Sequence, residues 1–165
     1  MISYLSSRRI LKKSIIKIKD ESILSINSLN RISSSNIYSK FNYPSGDNAA
    51  FDGYAINSKD TKNLNINKSK AFKIIGSIAA GRQPFITKIN KFEAVEIMTG
   101  GIIPKGFDTI IPIEQINFFP NNKIRKFILI NKRIGTSNHV RFAGSDYKKR
   151  ELIIKKNEII LPNHI

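Results

Sequence analysis

From Gly53 to Ile130 the chain runs as short apolar stretches dominated by β-branched residues, each cut off by Gly, Pro or Asn. That punctuation constrains the fold more than any other feature. It predicts short strands at Gly53–Ile56, Phe72–Ile75, Ala94–Met98, Thr109–Ile113 and Arg125–Ile130, joined by turns. The polar, Asn- and Lys-rich span Ser58–Lys70 reads as an exposed loop. Such a mixture is a compact β domain that carries its function on turns. Upstream, Ser3 can cap a helix running to about Ile16, with Tyr4, Leu11 and Ile15 on one face. Asp20-Glu21 marks a turn. A second short helix near Ile26–Ile32 has to be held by packing, because its serines and asparagines form helix poorly. Tyr43-Pro44-Ser45-Gly46 breaks the pattern. Beyond Gly135-Thr136-Ser137, strands are expected at Val140–Phe142, Leu152–Ile154 and Ile159–Leu161. There is no internal repeat.

Composition narrows the chemistry. A chain of 165 residues can bury a core in one domain or two small ones. It has no cysteine, which excludes disulfides and thiolate metal sites and is compatible with a reducing cytosol. With His139 and His164 as the two histidines, a metal held here would be a hard ion on oxygen ligands. The formal charge of +16 suggests a polyanion partner. Its distribution argues otherwise. Residues 1–40 carry eight basic and two acidic side chains, residues 41–120 nine and seven, and residues 121–165 eleven and three. The excess avoids the middle of the chain. The abundance of Ile, Asn and Lys fits a drift towards A/T-rich codons, and no Arg-Gly repeat or basic–aromatic interleaving supports RNA binding. Residues 1–19 hold six basic residues, several serines and no acid. They read either as a transit-peptide-like leader or as an ordinary first helix. No apolar run approaches membrane-spanning length.

Two segments carry the candidate chemistry. In Asp47-Asn48-Ala49-Ala50-Phe51-Asp52-Gly53-Tyr54-Ala55, two carboxylates five residues apart flank a small apolar core. They either meet a metal or phosphate at a partly dry surface or cap turns. In Ile97-Met98-Thr99-Gly100-Gly101-Ile102-Ile103-Pro104-Lys105-Gly106, a strand enters a Thr-Gly-Gly turn. Its glycines would let backbone amides approach a ligand, with Thr99 adding a hydroxyl; alternatively it is a plain Gly-rich turn. Phe107-Asp108-Thr109-Ile110-Ile111-Pro112-Ile113-Glu114 follows, and an exposed turn suits both of its acids equally well.

In order, Asp-Asn-x-Ala-x-Asp-Gly-Tyr-Ala, Ala80-Gly81, and Met-Thr-Gly-x-x-x-Pro-x-Gly-x-Asp-Thr resemble the molybdopterin molybdotransferases, of the MoeA type and the E-domain of gephyrin. Asn138-His139-Val140-Arg141-Phe142-Ala143-Gly144-Ser145-Asp146 resembles the family's later Arg-x-x-Gly-x-Asp element, and Asn30-Arg31-Ile32 stands where the family usually has Gly-Arg-Val. The resemblance covers nearly the whole chain. It implies an α+β fold with an elongated, discontinuous domain from 1–40 and 139–165. A β-rich, barrel-like domain at 41–138 would be inserted in it. It also implies that the basic amino terminus is the first helix.

The activity implied is insertion of molybdate into adenylylated molybdopterin with release of AMP, assisted by Mg2+, in a cytoplasmic enzyme. The resemblance assigns catalytic roles to Asp52 and Thr99, with Asp52 also a metal ligand. Asp47, Asn48, Gly100, Arg141 and Asp146 are assigned to substrate binding, although Asp47 and Asn48 also suit loop shaping, and Arg141 and Asp146 an ion pair. Implied partners are the small-molecule substrates and either a second copy or a complementing pterin-binding chain, with no membrane or nucleic acid. The family's usual Ser, Met and Ala are replaced by Ala49, Phe51 and Gly101. The chain is expected to stop about where a pterin-binding domain would begin, which would leave half a cleft. The competing expectations are a scaffolding module that keeps the fold without chemistry and, less favoured, a nucleic-acid binder whose affinity falls steeply with salt.

Overall fold

The computed structural model describes residues 1–14, 18–84, 88–121 and 123–165. The chain divides into two compact units, one made of Met1–Tyr38 with Leu152–Ile165, the other of Ser39–Glu151.

In the first unit, helix α1 spans Tyr4–Lys13. Ser3 caps it by accepting a hydrogen bond from the Ser6 amide at 3.2 Å. Ser14 closes it, and Ile15 and Ile16, expected in its last turn, lie outside the described residues. None of its residues is buried. The second helix expected near Ile26–Ile32 is one 3-10 turn, Ser25–Asn27. Its serines and asparagines bond locally instead, as when the Ser28 hydroxyl donates to the Ser25 carbonyl at 2.5 Å. Strand β1, Ile37–Tyr38, pairs with the return segment. Beside it, Asn30, Arg31 and Ser33 exchange backbone bonds of 2.7–2.9 Å with Asn157, Glu158 and Ile160. Ile159 was expected to start a strand but makes only an isolated bridge to Ile32.

The second unit is a six-stranded mixed sheet with a small appendage. Its strands are β2 at Asn48–Ala49, β3 at Gly53–Ile56, β4 at Lys70–Ile78, β5 at Glu93–Ile97, β6 at Thr109–Pro112, β7 at Asn117–Pro120, β8 at Arg125–Ile130 and β9 at Val140–Arg141. Strand β10, Leu152–Ile154, is the partner of β1 in the first unit. The sheet order is β6-β3-β5-β4-β8-β7, antiparallel except for the β4–β5 pair. The end strands β6 and β7 do not pair with each other among the described residues, so the hydrogen-bonded sheet is open rather than a closed barrel. It curls nonetheless. The Tyr54 ring on β3 meets Phe118 on β7, four strands away, with centroids 5.8 Å apart.

Buried apolar clusters lie on both faces of the central strands. Tyr54 and Ile56 pack on one side with Phe72, Ile111 and Ile128. Ala55 packs on the other with Ile78, Val95, Ile97 and Ile110. Period-two alternation therefore separates two apolar clusters, and β3 and β6 are buried at every residue. Ser58–Lys70 departs from the exposed loop expected. It opens with a 3-10 turn, Ser58–Thr61, and buries Thr61 and Leu64. The buried Thr61 hydroxyl donates to the Ser58 carbonyl and accepts from the Ile134 amide, at 2.8 and 2.9 Å. Residues 139–151 lie in this second unit. Val140–Arg141 pairs with Asn48–Ala49, and Tyr43 bridges Tyr147.

Candidate functional site

Register brings the two motif segments together. Gly53 pairs antiparallel with Ile97, so Asp52 falls opposite Met98, one residue short of Thr99. Gly53 also lies against β6 so closely that a Cβ would sit 2.1 Å from the Ile111 carbonyl oxygen. Only glycine fits there, and the Asp52 carbonyl accepts from the Ile113 amide, just past β6, at 3.0 Å. After β5 the chain turns at Met98–Gly101, closed by the Gly101 amide on the Met98 carbonyl at 2.8 Å. Gly100 stands third in this turn with φ +80°, the left-handed geometry that a type II turn demands of that position.

The turn swings Thr99 onto Asp52. Its amide and its hydroxyl both donate to Asp52 Oδ1, at 2.6 and 2.7 Å. These two bonds favour the ionised carboxylate and hold the Asp52 pKa below its ordinary value of 3.8, against a small opposing effect of burial. Both side chains are exposed. Asp52 Oδ2 has no protein partner among the described residues. The Thr99 hydroxyl proton is already given to Oδ1, so towards any further group this hydroxyl can only accept.

The other expected residues have other occupations. The Gly100 amide donates to the Ala49 carbonyl at 2.8 Å, and the Ala49 amide returns a bond to Gly101 at 3.0 Å. With the Thr99 amide on Asp52, every amide of the Thr-Gly-Gly turn is spent within the protein. The Gly100 and Gly101 amides, expected to approach a ligand, are engaged within the protein in this structure. Asp47 Oδ1 accepts from the Ala143 amide at 2.8 Å, tying the two loops together. Asn48 is a central strand residue, paired with Arg141 on one side and Ile102 on the other. Its side chain is buried, and Oδ1 meets no donor among the described residues. Arg141 and Asp146 pair with each other at the surface. That bond, ahead of simple charge attraction, raises the Arg141 pKa. Glu114 is exposed on the turn after β6.

Asp108 is fully engaged. Its Oδ1 accepts from the Ser58 amide, and its Oδ2 from the Ser58 and Thr136 hydroxyls, at 2.7, 2.7 and 3.2 Å. Partners fifty and twenty-eight residues away left no local signal for this. Sequence reasoning also passed over His139, which stands at φ +55° with its ring edge-on to Phe51, centroids 4.9 Å apart. The Asn-His step before Val140-Arg141 was its one available cue.

No group of three or more His, Asp or Glu is placed to hold a metal among the described residues. Magnesium binds through one or two carboxylates plus water and substrate phosphates. Asp52 Oδ2 suits one ligand of such a set, and the described residues by themselves offer no complete site.

Residues 2–165 match the family model described as the MoeA N-terminal region, domains I and II. The molybdopterin molybdenumtransferase of Haemophilus influenzae is 33% identical over 133 residues, which are 81% of this chain and 30% of the relative. That of Bacillus subtilis is 29% identical over 135 residues, 82% and 31% of the two chains. A crystal structure of the molybdopterin biosynthesis MoeA protein from Pyrococcus horikoshii superposes with a TM-score of 0.85 at 29% identity, covering 99% of this chain and 41% of that one. The chain thus spans about a third of the length of the curated relatives it matches.

Proposed function

This chain belongs to the MoeA N-terminal family, and on that premise we propose that it acts in molybdenum cofactor biosynthesis. It supplies the amino-terminal side of a cytoplasmic enzyme that inserts molybdate into adenylylated molybdopterin and releases AMP. The single observation that carries this reading is the half-engaged carboxylate of Asp52. Thr99 fixes one oxygen and keeps the group charged, while the other oxygen faces outward from a rigid frame. A preoriented charge of this kind needs no rearrangement when a reacting group arrives. Thr99 is then a positioning residue that acts through Asp52. A bound magnesium ion would neutralise phosphate charge at Asp52 Oδ2. Asp47 and Asn48 hold the loop, and Arg141 and Asp146 hold the segment beside it.

The pterin-binding surface would come from a second chain or a further domain. The test is to combine the purified chain with a pterin-binding MoeA domain and measure cofactor formation from adenylylated molybdopterin and molybdate. The proposal expects formation to require both pieces. Equal yield with and without this chain would favour a second reading, a scaffolding module without chemistry. The observation on that side is the economy of the site. All amides of the Thr-Gly-Gly turn are spent and Arg141 is paired, so these two elements present little to an anionic substrate.

A further inference from the structure

The second unit holds a small hollow of about 180 Å³ behind the Asp52 loop. Its floor is the buried end of β6, Ile110–Pro112, together with Ile134. Its polar lining is Gln115, Lys132, Arg133, Asn138 and His139. Two cations, two carboxamides and an imidazole meet there, and no carboxylate lines the space.

Surface lysines are expected anywhere on a chain of charge +16, so the composition of this lining has to be judged against another basic depression. A wider one, about 590 Å³, is lined by Gly144–Asp146 and Lys148–Glu151. It mixes Lys148, Lys149 and Arg150 with Asp146 and Glu151, which offset their charge locally. The small hollow has no such offset. Neither Lys132 nor Arg133 takes part in the two ion pairs among the described residues, Arg31–Glu21 and Arg141–Asp146. The hollow is also tied to the candidate site. The His139 carbonyl accepts from the Ala50 amide at 2.9 Å, and its ring meets Phe51, the residue before Asp52.

Size limits the occupant. At ~30 Å³ per water the space equals roughly six waters, well under the ~300 Å³ at which pockets for drug-sized ligands begin. A compact anion suits this volume and its donor-bearing lining, and an extended ligand does not. Guanidinium and carboxamide groups suit the oxygens of a tetrahedral ion, and the apolar floor excludes water from one side.

We propose that this hollow binds a tetrahedral oxyanion of the phosphate class, as the free ion or as the terminal phosphate of a larger ligand. The experiment is a titration of the 15N-labelled full chain with inorganic phosphate, at ionic strength held constant with chloride. Saturable shifts are expected at Gln115, Asn138 and His139. The double variant Lys132→Ala/Arg133→Ala should weaken the apparent affinity at least tenfold, and Lys148→Ala/Lys149→Ala should leave it within twofold. Both pairs are exposed, so these variants should keep the wild-type spectrum; His139→Gln serves as a third, single-site variant with the same expected direction. AMP in place of phosphate separates the two sources. Tighter binding at the same resonances assigns the phosphate of a larger ligand, and equal or weaker binding assigns the free ion. Unsaturable shifts, or equal weakening by both double variants, would overturn the proposal. The titration involves no pterin-binding piece and no turnover, so its failure and the failure of the Asp52 reading are separate events.

Discussion

Asp52 and Asp108 sit in motifs of the same family resemblance, each just before a strand, and they are used differently. Asp108 spends both oxygens on Ser58 and Thr136, stitching two distant turns to the start of β6. Asp52 spends one oxygen on Thr99 and leaves the other without a protein partner among the described residues. A carboxylate with both oxygens engaged has done its work once the chain is folded. A half-saturated one, held in place and kept charged, has capacity left for a ligand. Motif position alone does not separate these cases; whether the second oxygen is occupied does.

The comparison breaks most completely if its frame is removed. Gly53→Ala would drive a methyl into the Ile111 carbonyl. We expect a loss of stability above the ~1–3 kcal/mol typical of overpacking, read as a large fall in the urea midpoint or as insoluble protein. Next comes Asp108→Asn, which replaces an acceptor facing hydroxyl and amide donors. It should cost about 1–3 kcal/mol by chemical denaturation without changing the activity of the folded fraction. A smaller effect is expected from Thr99→Val, which deletes the hydroxyl bond and keeps the amide bond. The Asp52 pKa should rise towards 3.8, and carboxyl-detected NMR titration reads this directly.

The pH dependence follows from the same shift. Because Asp52 is depressed in the folded state, its contribution to stability is fully present above about pH 3.8 and disappears as pH falls through the lower folded value. The fall in urea midpoint on acidification should be slightly steeper for wild type than for Thr99→Val. Arg141→Ala should move least. Its ion pair is solvent-exposed, and such pairs contribute little, so the expected result is an unchanged midpoint.

How far the sequence reveals this arrangement depends on how local each cause is. β3, β8 and β10 stand where β-branched runs and their punctuation put them. The Ser3 cap is local and was legible, whereas a shared site for Asp52 and Thr99 came only with the family resemblance. Strand β7 was missed because Phe119-Pro120 argues against a strand, yet Pro is tolerated at this sheet edge. β4 extends to Lys70 because β8 pairs with it from Lys70 to Lys73, a long-range ladder that composition does not record. The burial of Thr61 depends on Ile134, seventy-three residues away. The spent amide of Gly100 depends on Ala49, which only the folded register brings alongside. Asp52 and Thr99 could be named as candidates from their motifs, while the bonds that distinguish a support from a reactive group depend on the folded register.

The most direct test sets the two acids against each other in one assay. Asp52→Asn and Asp108→Asn chains, matched for folded concentration, are each combined with the pterin-binding piece, and cofactor formation is timed. The account predicts a loss of about 10²–10³-fold for Asp52→Asn, the scale of removing one preorganised electrostatic group, with Asp108→Asn near wild type. Equal rates from the two variants would contradict it.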